Sequence, residues 1–417
     1  MCRRKRNHGP RGKGVGDFIG MENAVSQFYM ENMANINRAK VRPFQMALLF
    51  AAILLASLWP TGKAFSGVPR GVFCLLPSST GGAGKDPAIY RNPDIDGISV
   101  RQKWSDLELQ QSAFDWTFLD TVIAKAAAAG KVVSLRIGTS GGEAALGGSS
   151  PGWVFDAVRA EGLPASQKFF TFDDQGMATT IPVFWDPVYL AAKTAMIKAV
   201  GLRYADNPAV KIVSASFANA TSEDWAVPHT AIDVTRWLAA GYTTSKMLAA
   251  GKRIIDTTMA AFPKQYVTLA VGANGHVGAQ AGPNLDPDEN YLALNAVLTA
   301  RTTWPGRLIV QKNSLQTAIP AAPGIGTPWE LESNSSPDIA GQMLWYCYGD
   351  TTYRMNGGVA IDPSAALRKS VDMGVAYGMK YIEIYHVDVV SLLAATHYAH
   401  TALLQAPAAP TQLRLTP

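Results

Sequence analysis

Short runs of apolar and β-branched residues recur along the chain and alternate with longer segments whose apolar positions follow the helical period. Such short runs, bounded by turn-forming residues, indicate buried strands, and the segments between them indicate helical crossovers between parallel strands. Seven strands are predicted on this basis: Gly71–Leu76, Ile98–Lys103, Val132–Ile137, Lys211–Phe217, Tyr266–Val271, Leu308–Lys312 and Tyr381–Val387.

An eighth strand is expected late in the chain, where two segments compete for it. Thr327–Glu332 is short and follows Gly and Pro. Gln342–Tyr348 is apolar, but the Ser336-Pro337-Asp338 sequence before it is a good helix start. We therefore predict the strand at Thr327–Glu332 and a helix at Gln342–Tyr348.

Helix signals fill the segments between the strands. The first and last of the predicted helices end at Gly130 and Gly378, which are typical C-terminal caps. The helices cover Asp115–Ala129, Asp186–Tyr204, Tyr242–Ala261 and Pro363–Tyr377. Two β-like runs after the third strand, Phe169–Phe172 and Thr179–Trp185, indicate an inserted hairpin. The pattern predicts an α/β protein, a (β/α)8 TIM barrel with a small β-hairpin insertion after strand three.

The N-terminal segment resembles a targeting signal. Basic residues precede an apolar run of 14 residues, Met46–Trp59, which is short for a membrane span but suits the core of a signal peptide. Small residues at Gly62 and Ala64 indicate cleavage after Ala64. An uncleaved membrane anchor is the alternative. We therefore predict a targeting segment over 1–64, the barrel over 65–404 and a Pro/Ala-rich tail over 405–417. The location would be secreted or periplasmic, or anchored to the outer face of a membrane.

Charge and cysteine content narrow the range of functions. The formal net charge is +5, but residues 1–64 carry +7 and the remaining 353 residues carry −2, so the body has no basic footprint for nucleic acid. Only three cysteines are present, and Cys74 lies in an apolar run typical of a buried thiol. The sequence contains no zinc motif and no Gly-rich phosphate loop, so we predict no metal and no cofactor.

Candidate chemistry lies where a barrel of this kind places it, at the carboxyl ends of the strands and in the loops that follow. These positions are rich in carboxylates and aromatic rings. Aromatic faces stack on sugar rings, and two carboxylates perform glycoside hydrolysis. The residues of interest are Arg101, Trp104, Trp153, Asn219, Glu223, Glu330, Glu383 and Tyr385.

Four segments resemble the beginning of clan A (β/α)8 glycoside hydrolases, loosely like the family-42 β-galactosidases and the family-5 enzymes. These are Asp96–Arg101, Trp104–Glu108, Phe114–Asp120 and Ser150–Val154. The resemblance implies an Asn-Glu pair after strand four, with the Glu as acid/base, and a nucleophile at the end of strand seven. Here Asn219 and Glu223 are four residues apart, so the pair is not intact.

Glu223 is nevertheless our candidate for the general acid/base. Glu383 is the first candidate for the nucleophile, because a charged residue inside an apolar strand needs a strong reason. Glu330 is the alternative nucleophile, with Glu332 beside it. Glu383 can instead form a structural salt bridge with Arg101 or Lys312, and Glu223 can be a carboxylate that stabilises a helix N-terminus.

We therefore predict an exported glycoside hydrolase that cleaves a β-linked saccharide by two-carboxylate chemistry. Arg101 would keep the nucleophile ionised, and Trp104, Trp153, Asn219 and Tyr385 would line the sugar subsite. The expected partner is an oligo- or polysaccharide, with no nucleic acid, and with a membrane only through an uncleaved N-terminal segment. The alternative is a catalytically inactive barrel that binds a cell-surface or environmental polysaccharide.

Overall fold

The structure is a computed structural model that describes residues 67–77, 82–138, 148–172, 179–216, 231–270, 286–317 and 338–405. The predicted targeting segment lies outside this range, as does almost all of the C-terminal tail, and both stay predictions. Within the described residues, no helix is sufficiently long and apolar to cross a membrane.

Eight parallel strands close into a barrel, and each pairs with the next along the chain until the last pairs with the first. The predicted (β/α)8 barrel is therefore confirmed. The strands are β1 Gly71–Leu75, β2 Gly97–Lys103, β3 Val132–Gly138, β4 Val210–Ser214, β5 Tyr266–Ala270, β6 Leu308–Leu315, β7 Ile339–Met343 and β8 Tyr381–Tyr385.

Helices surround the barrel, and three of the long ones begin at a residue whose side chain caps the helix. Asp186 and Asp362 accept hydrogen bonds from the first-turn amides of the helices that follow them, and a proline stands at the first helical position in both. The helices are α1 Pro87–Arg91, α2 Trp104–Leu107, α3 Thr117–Ala128, α4 Gly152–Arg159, α5 Ala165–Lys168, α6 Pro187–Tyr204, α7 Ala231–Ala239, α8 Thr244–Ala261, α9 Asp286–Thr303, α10 Pro363–Ala376, α11 His386–Ser391 and α12 Leu393–Gln405. Short 3-10 turns cover Gly82–Lys85 and Arg354–Asn356.

Two small β-hairpins lie outside the barrel sheet. Phe169–Phe172 pairs antiparallel with Thr179–Pro182 after β3, which confirms the predicted insertion. A second and shorter pair, Glu108–Gln110 with Ala113–Phe114, follows β2 and was not predicted.

The location of the seventh strand corrects the sequence prediction. The helix predicted at Gln342–Tyr348 is wrong, because its first two residues belong to β7. The competing segment, Thr327–Glu332, lies outside the described residues. Pairing with remote strands outweighs the local helix-start signal: the Asp338 carbonyl accepts a hydrogen bond from the Val310 amide of β6. All five residues of β7 are buried.

The residues that line the barrel interior change from apolar to polar along the barrel axis. Near the amino ends of the strands it is apolar, and the rings of Phe73 and Tyr381 lie 4.5 Å apart there. This inner cluster consists of Phe73, Ile212, Tyr266, Ile309, Ala340 and Tyr381. Toward the carboxyl ends the inward positions become polar. A buried apolar layer closes the amino-terminal end of the barrel. The candidate catalytic groups therefore lie toward its carboxyl-terminal mouth.

Candidate active site at the mouth of the barrel

Glu383 is the centre of a polar network inside the barrel. It is the third residue of β8 and is only 4% exposed. One carboxylate oxygen accepts a hydrogen bond of 2.6 Å from the Ser99 hydroxyl, and the other accepts one of 3.1 Å from the Gln311 amide. Gln311 also donates to the Asn313 oxygen and accepts from the Tyr381 hydroxyl. The carboxyl group is therefore held in one orientation by neutral donors from two strands, β2 and β6.

Burial raises the pKa of Glu383. The hydrogen bond from Ser99, the charges of Arg101 and Arg136 and the hydrogen bond from Gln311 oppose this rise without reversing it. Arg101 therefore supports the ionised form of Glu383, as predicted from its fixed charge, but its effect is smaller than the cost of removing the carboxylate from water.

Arg101 and Arg136 lie closer to the mouth of the barrel than Glu383 does. They are register partners on β2 and β3. Side chains alternate between the two faces of a strand, so Arg101 lies on the same inner face as Ser99, which contacts Glu383. Arg101 donates from Nε to the Leu76 carbonyl at 3.1 Å. Two guanidinium groups therefore stand side by side in the wall of the barrel.

Aromatic rings line the mouth beside β7 and β8. Tyr385, the last residue of β8, has its ring centroid 6.3 Å from those of both Trp345 and Tyr346. The Arg354 guanidinium lies over the Trp345 ring, 4.7 Å from its centroid. All three rings are partly exposed. Such an arrangement offers apolar faces with polar edges, which suits the stacking of sugar rings.

A buried aspartate holds the segment that carries these rings. Asp388, in the first turn of α11, accepts hydrogen bonds from the backbone amides of Cys347 and Tyr348 at 2.7 to 2.9 Å. Burial raises the pKa of Asp388 to about 6, although these amides lower it. The loop after β7 is thus anchored to the helix after β8, immediately behind Trp345 and Tyr346.

Comparison with known proteins adds a partial family match, over 168 of the 417 residues. The sequence model of the family described as "Beta-galactosidase", glycoside hydrolase family 42, matches residues 83–250. The chain is a glycoside hydrolase of the (β/α)8 type. The resemblance predicted from the sequence is thereby confirmed, and the substrate is a saccharide. The matched part of this glycosidase contains Arg101, Arg136 and Glu223 but ends before Glu383.

One solved structure with a TM-score above 0.5 shows the same fold. The catalytic domain of beta-amylase from Paenibacillus polymyxa superposes with a TM-score of 0.54 at 10% identity, over 82% of this chain and 100% of that one. A thermostable mutant of a xylanase from Cellvibrio japonicus superposes with a TM-score of 0.44 at 16% identity, over 81% of this chain and 90% of that one. A beta-galactosidase from Rahnella sp. R3 superposes with a TM-score of 0.42 at 15% identity, over 82% of this chain and 58% of that one. No curated protein sequence matches the chain.

The end of β7 in this glycosidase carries an amide where the resemblance implies a nucleophilic carboxylate. Gln342 is the register partner of Glu383 on β8, and its buried Oε1 accepts no hydrogen bond from any residue that the structure describes. Glu330 and Glu332 precede β7 in the chain, and the alternative nucleophile stays a prediction. Both lie outside the described residues. Within the described part of β7 and β8, the buried carboxylate nearest this position in register is Glu383.

The remaining predicted site residues lie apart from this centre or outside the described residues. Asn219 and Glu223 belong to the latter group and stay predictions. Trp104 has no exposed surface; it lies in the core, and its indole donates to the Glu108 carboxylate at 2.7 Å. Trp153 is half-buried, packs edge-to-face on Trp104 and donates to the Glu108 carbonyl. Trp104 therefore supports the barrel wall, whereas Trp153 keeps a partly exposed ring.

Five residues of the site were not predicted from the sequence as members of it: Ser99, Arg136, Gln311, Trp345 and Tyr346. Ser99 and Arg136 lie at inward-facing positions of predicted strands. The alternation of side chains along a strand could therefore have identified them from the sequence. Trp345 and Tyr346 were hidden by the mistaken helix. Within the described residues, no group of three or more His, Cys, Asp or Glu side chains converges as a metal site would require.

Proposed function

We propose that this glycoside hydrolase is exported and cleaves a β-linked saccharide at the carboxyl-terminal mouth of its barrel. The observation that supports this most directly is Glu383. It is a buried carboxyl group inside the barrel, oriented by Ser99 and Gln311, below two arginines and a wall of aromatic rings. Burying a carboxyl group in this way costs stability, and a catalytic role explains why the barrel contains one.

Glu383 is the proposed nucleophile, and Glu223, in the segment after β4, is the proposed general acid. Glu383 attacks the anomeric carbon in its ionised form, which Arg101 and Arg136 favour. Glu223 gives its proton to the leaving oxygen and then takes one from the water that releases the sugar. Because burial raises the pKa of Glu383, we expect the rate to rise with pH through a value above that of an ordinary glutamate.

The test uses the purified full chain with a panel of aryl β-glycosides and β-linked polysaccharides. Sugar release should be abolished in Glu383→Gln with every substrate. In Glu223→Gln, release from polysaccharide should fall, whereas aryl glycosides with good leaving groups should be cleaved faster than polysaccharide, because such groups need little acid assistance. Asp206→Asn, which alters a carboxylate that is 91% exposed and pairs only with the exposed Lys264 among the described residues, is the matched control and should retain activity.

The outcomes separate the two functional candidates. Activity that survives in Glu383→Gln contradicts the proposed nucleophile. Affinity for a polysaccharide without any release favours the alternative of a saccharide-binding barrel, which the amide of Gln342 at the end of β7 also supports.

A further inference from the structure

A cleft on the outer wall of the barrel is lined by positive charge. It has a volume of about 350 Å³ and lies between the 3-10 turn Gly82–Lys85, α1 and the end of α3. Its described lining contains the cationic side chains of Lys85, Arg91 and Lys125 and no carboxylate. The half-buried ring of Tyr90 lies among them. This basic cleft is in the lower part of the size range of small-molecule sites.

Close packing holds the walls of the basic cleft together. The turn that ends at Lys85 lies directly against α3: a Cβ atom at Gly84 would lie 2.8 Å from a methyl group of Val122, so a larger residue would displace that side chain. The Gly84 carbonyl accepts a hydrogen bond of 2.8 Å from the Tyr90 hydroxyl, which ties the turn to α1. The Lys125 ammonium of α3 lies over the Tyr90 ring, 5.9 Å from its centroid. Tyr90 thus connects the three elements that supply the cations.

The acidic residues that are nearest in sequence pair with other groups. Three aspartates follow Lys85 in the segment that leads to β2, and each hydrogen-bonds to a histidine of the last two helices. The pairs are Asp86 with His386 at 2.8 Å, Asp94 with His397 at 2.9 Å and Asp96 with His400 at 2.9 Å. Lys85, Arg91 and Lys125, by contrast, form no ion pair with any carboxylate among the described residues.

The balance of charge in the basic cleft is positive. Arg91 and Lys125 lie in the last turns of α1 and α3, where a helix end offers about half a negative charge to a cation. Burial raises the pKa of Tyr90, and Asp86 is close enough to add to the rise. Three full positive charges therefore face one carboxylate, which His386 already contacts, and the fractional charges of two helix ends. A surplus remains for an anion from solution.

We propose that the basic cleft binds a phosphate or sulfate group, with Lys85, Arg91 and Lys125 each contacting one of its oxygens. Such a group presents at least three acceptor oxygens, which matches three cations on three elements, whereas a carboxylate presents only two. The arginine adds a planar pair of donors, and the lysines act as point charges. The cleft lies on the outer wall, so binding there does not depend on the hydrolysis proposed for Glu383.

The test measures by mass spectrometry how fast each lysine of the full chain reacts with an acylating reagent in chloride, sulfate or phosphate at equal ionic strength. A local readout is needed because residues 1–64 carry +7 and attract anions themselves. Sulfate and phosphate should each slow the labelling of Lys85 and Lys125 along a saturating curve. At ten times the Kd the labelling should be about tenfold slower, because only about one site in eleven is then empty. Lys264, which pairs with Asp206 outside the cleft, is the internal reference and should react at the same rate throughout.

Variants of Arg91 assign the protection to the cleft, because both reporter lysines remain in place. Arg91 is exposed, so its replacement leaves the core intact. Arg91→Gln should raise the anion concentration for half-protection about tenfold or more, since a charge-assisted contact contributes on the order of that factor. Arg91→Lys should retain part of the affinity, because lysine keeps the charge but loses the planar fork. Arg253→Gln, which removes an exposed arginine from α8, is the control matched in charge and should leave the protection unchanged.

Glucose 6-phosphate and glucose 6-sulfate identify the source of the group. Half-protection at a lower concentration of an ester than of its inorganic ion assigns the cleft to a group carried on a sugar, and the reverse order assigns it to the free ion. No protection of Lys85 and Lys125 by any of these anions overturns the inference. Protection that Lys264 shares, or that Arg91→Gln leaves unchanged, also overturns it, because the anions then act on the chain as a whole.

Discussion

Removing the hydroxyl group of Ser99 tests how the barrel controls its buried carboxyl. Ser99 is 2% exposed and donates the 2.6 Å hydrogen bond to Glu383. Ser99→Ala leaves the carboxylate with fewer donors and introduces no clash. Ser134→Ala is the matched control, because Ser134 is the register partner of Ser99 on β3 and is equally buried but makes no hydrogen bond to Glu383 among the described residues.

The expected magnitude follows from the worth of a hydrogen bond to a charged group, about 1.5–3 kcal/mol. Since about 1.4 kcal/mol corresponds to one pKa unit, Ser99→Ala should raise the pKa of Glu383 by roughly one to two units. The nucleophile must be ionised to react. The acidic limb of the pH profile of kcat/KM should therefore move to higher pH by the same amount.

Ser99→Ala should also lower the free energy of unfolding, and the loss should depend on pH. The pKa of Glu383 is raised in the folded protein, so its contribution to stability is present at low pH and is lost as pH rises through the folded pKa. Ser99→Ala raises that pKa further. The deficit in the free energy of unfolding should be small under acidic conditions and should grow toward about 1.5–3 kcal/mol above the folded pKa.

The assay combines pH–rate profiles with urea denaturation across the acidic to neutral range. If Ser99→Ala and Ser134→Ala shift the profile equally, or if the deficit of Ser99→Ala shrinks as pH rises, then the hydroxyl of Ser99 does not stabilise an ionised Glu383 and the reasoning fails.

Two further predictions concern the anchored loop and export. Burial raises the pKa of Asp388 to about 6, so its contribution to stability should fall as pH rises from about 4 to about 6. Asp388→Asn should abolish that slope in denaturation curves, and a slope unchanged from wild type would contradict the assignment. For export, mass spectrometry of protein recovered from outside the cytoplasm should find a chain that begins at Phe65; an intact Met1 would favour the membrane anchor, and retention in the cytoplasm would contradict both.

Much of the fold could be predicted because each strand and helix carries a local signal. Apolar runs bounded by turn residues located seven barrel strands, and Gly130 and Gly378 marked two helix ends, where both have positive φ. The seventh strand was mistaken because its local signal is that of a helix. Its true state depends on partners on β6 and β8, which a local pattern does not contain.

The site was harder to predict because its contacts are remote in sequence. Ser99 and Glu383 are 284 residues apart, and only closure of the barrel brings them together. The carboxylate itself was found, since an acidic residue within an apolar strand is conspicuous. Trp104 was misplaced because a tryptophan directly after a strand has the same sequence signal whether it faces a sugar or, as here, packs in the core beside Glu108.

The most direct test of the account is to trap the sugar on the protein. The full chain is incubated with an activated 2-fluoro glycoside of the sugar that it cleaves fastest, and the labelled peptide is identified by mass spectrometry. The account predicts one sugar attached to Glu383 and no label in Glu383→Gln. A label on Glu330 or another carboxylate, or unimpaired turnover in Glu383→Gln, would contradict the claim that the buried carboxyl of β8 performs the chemistry.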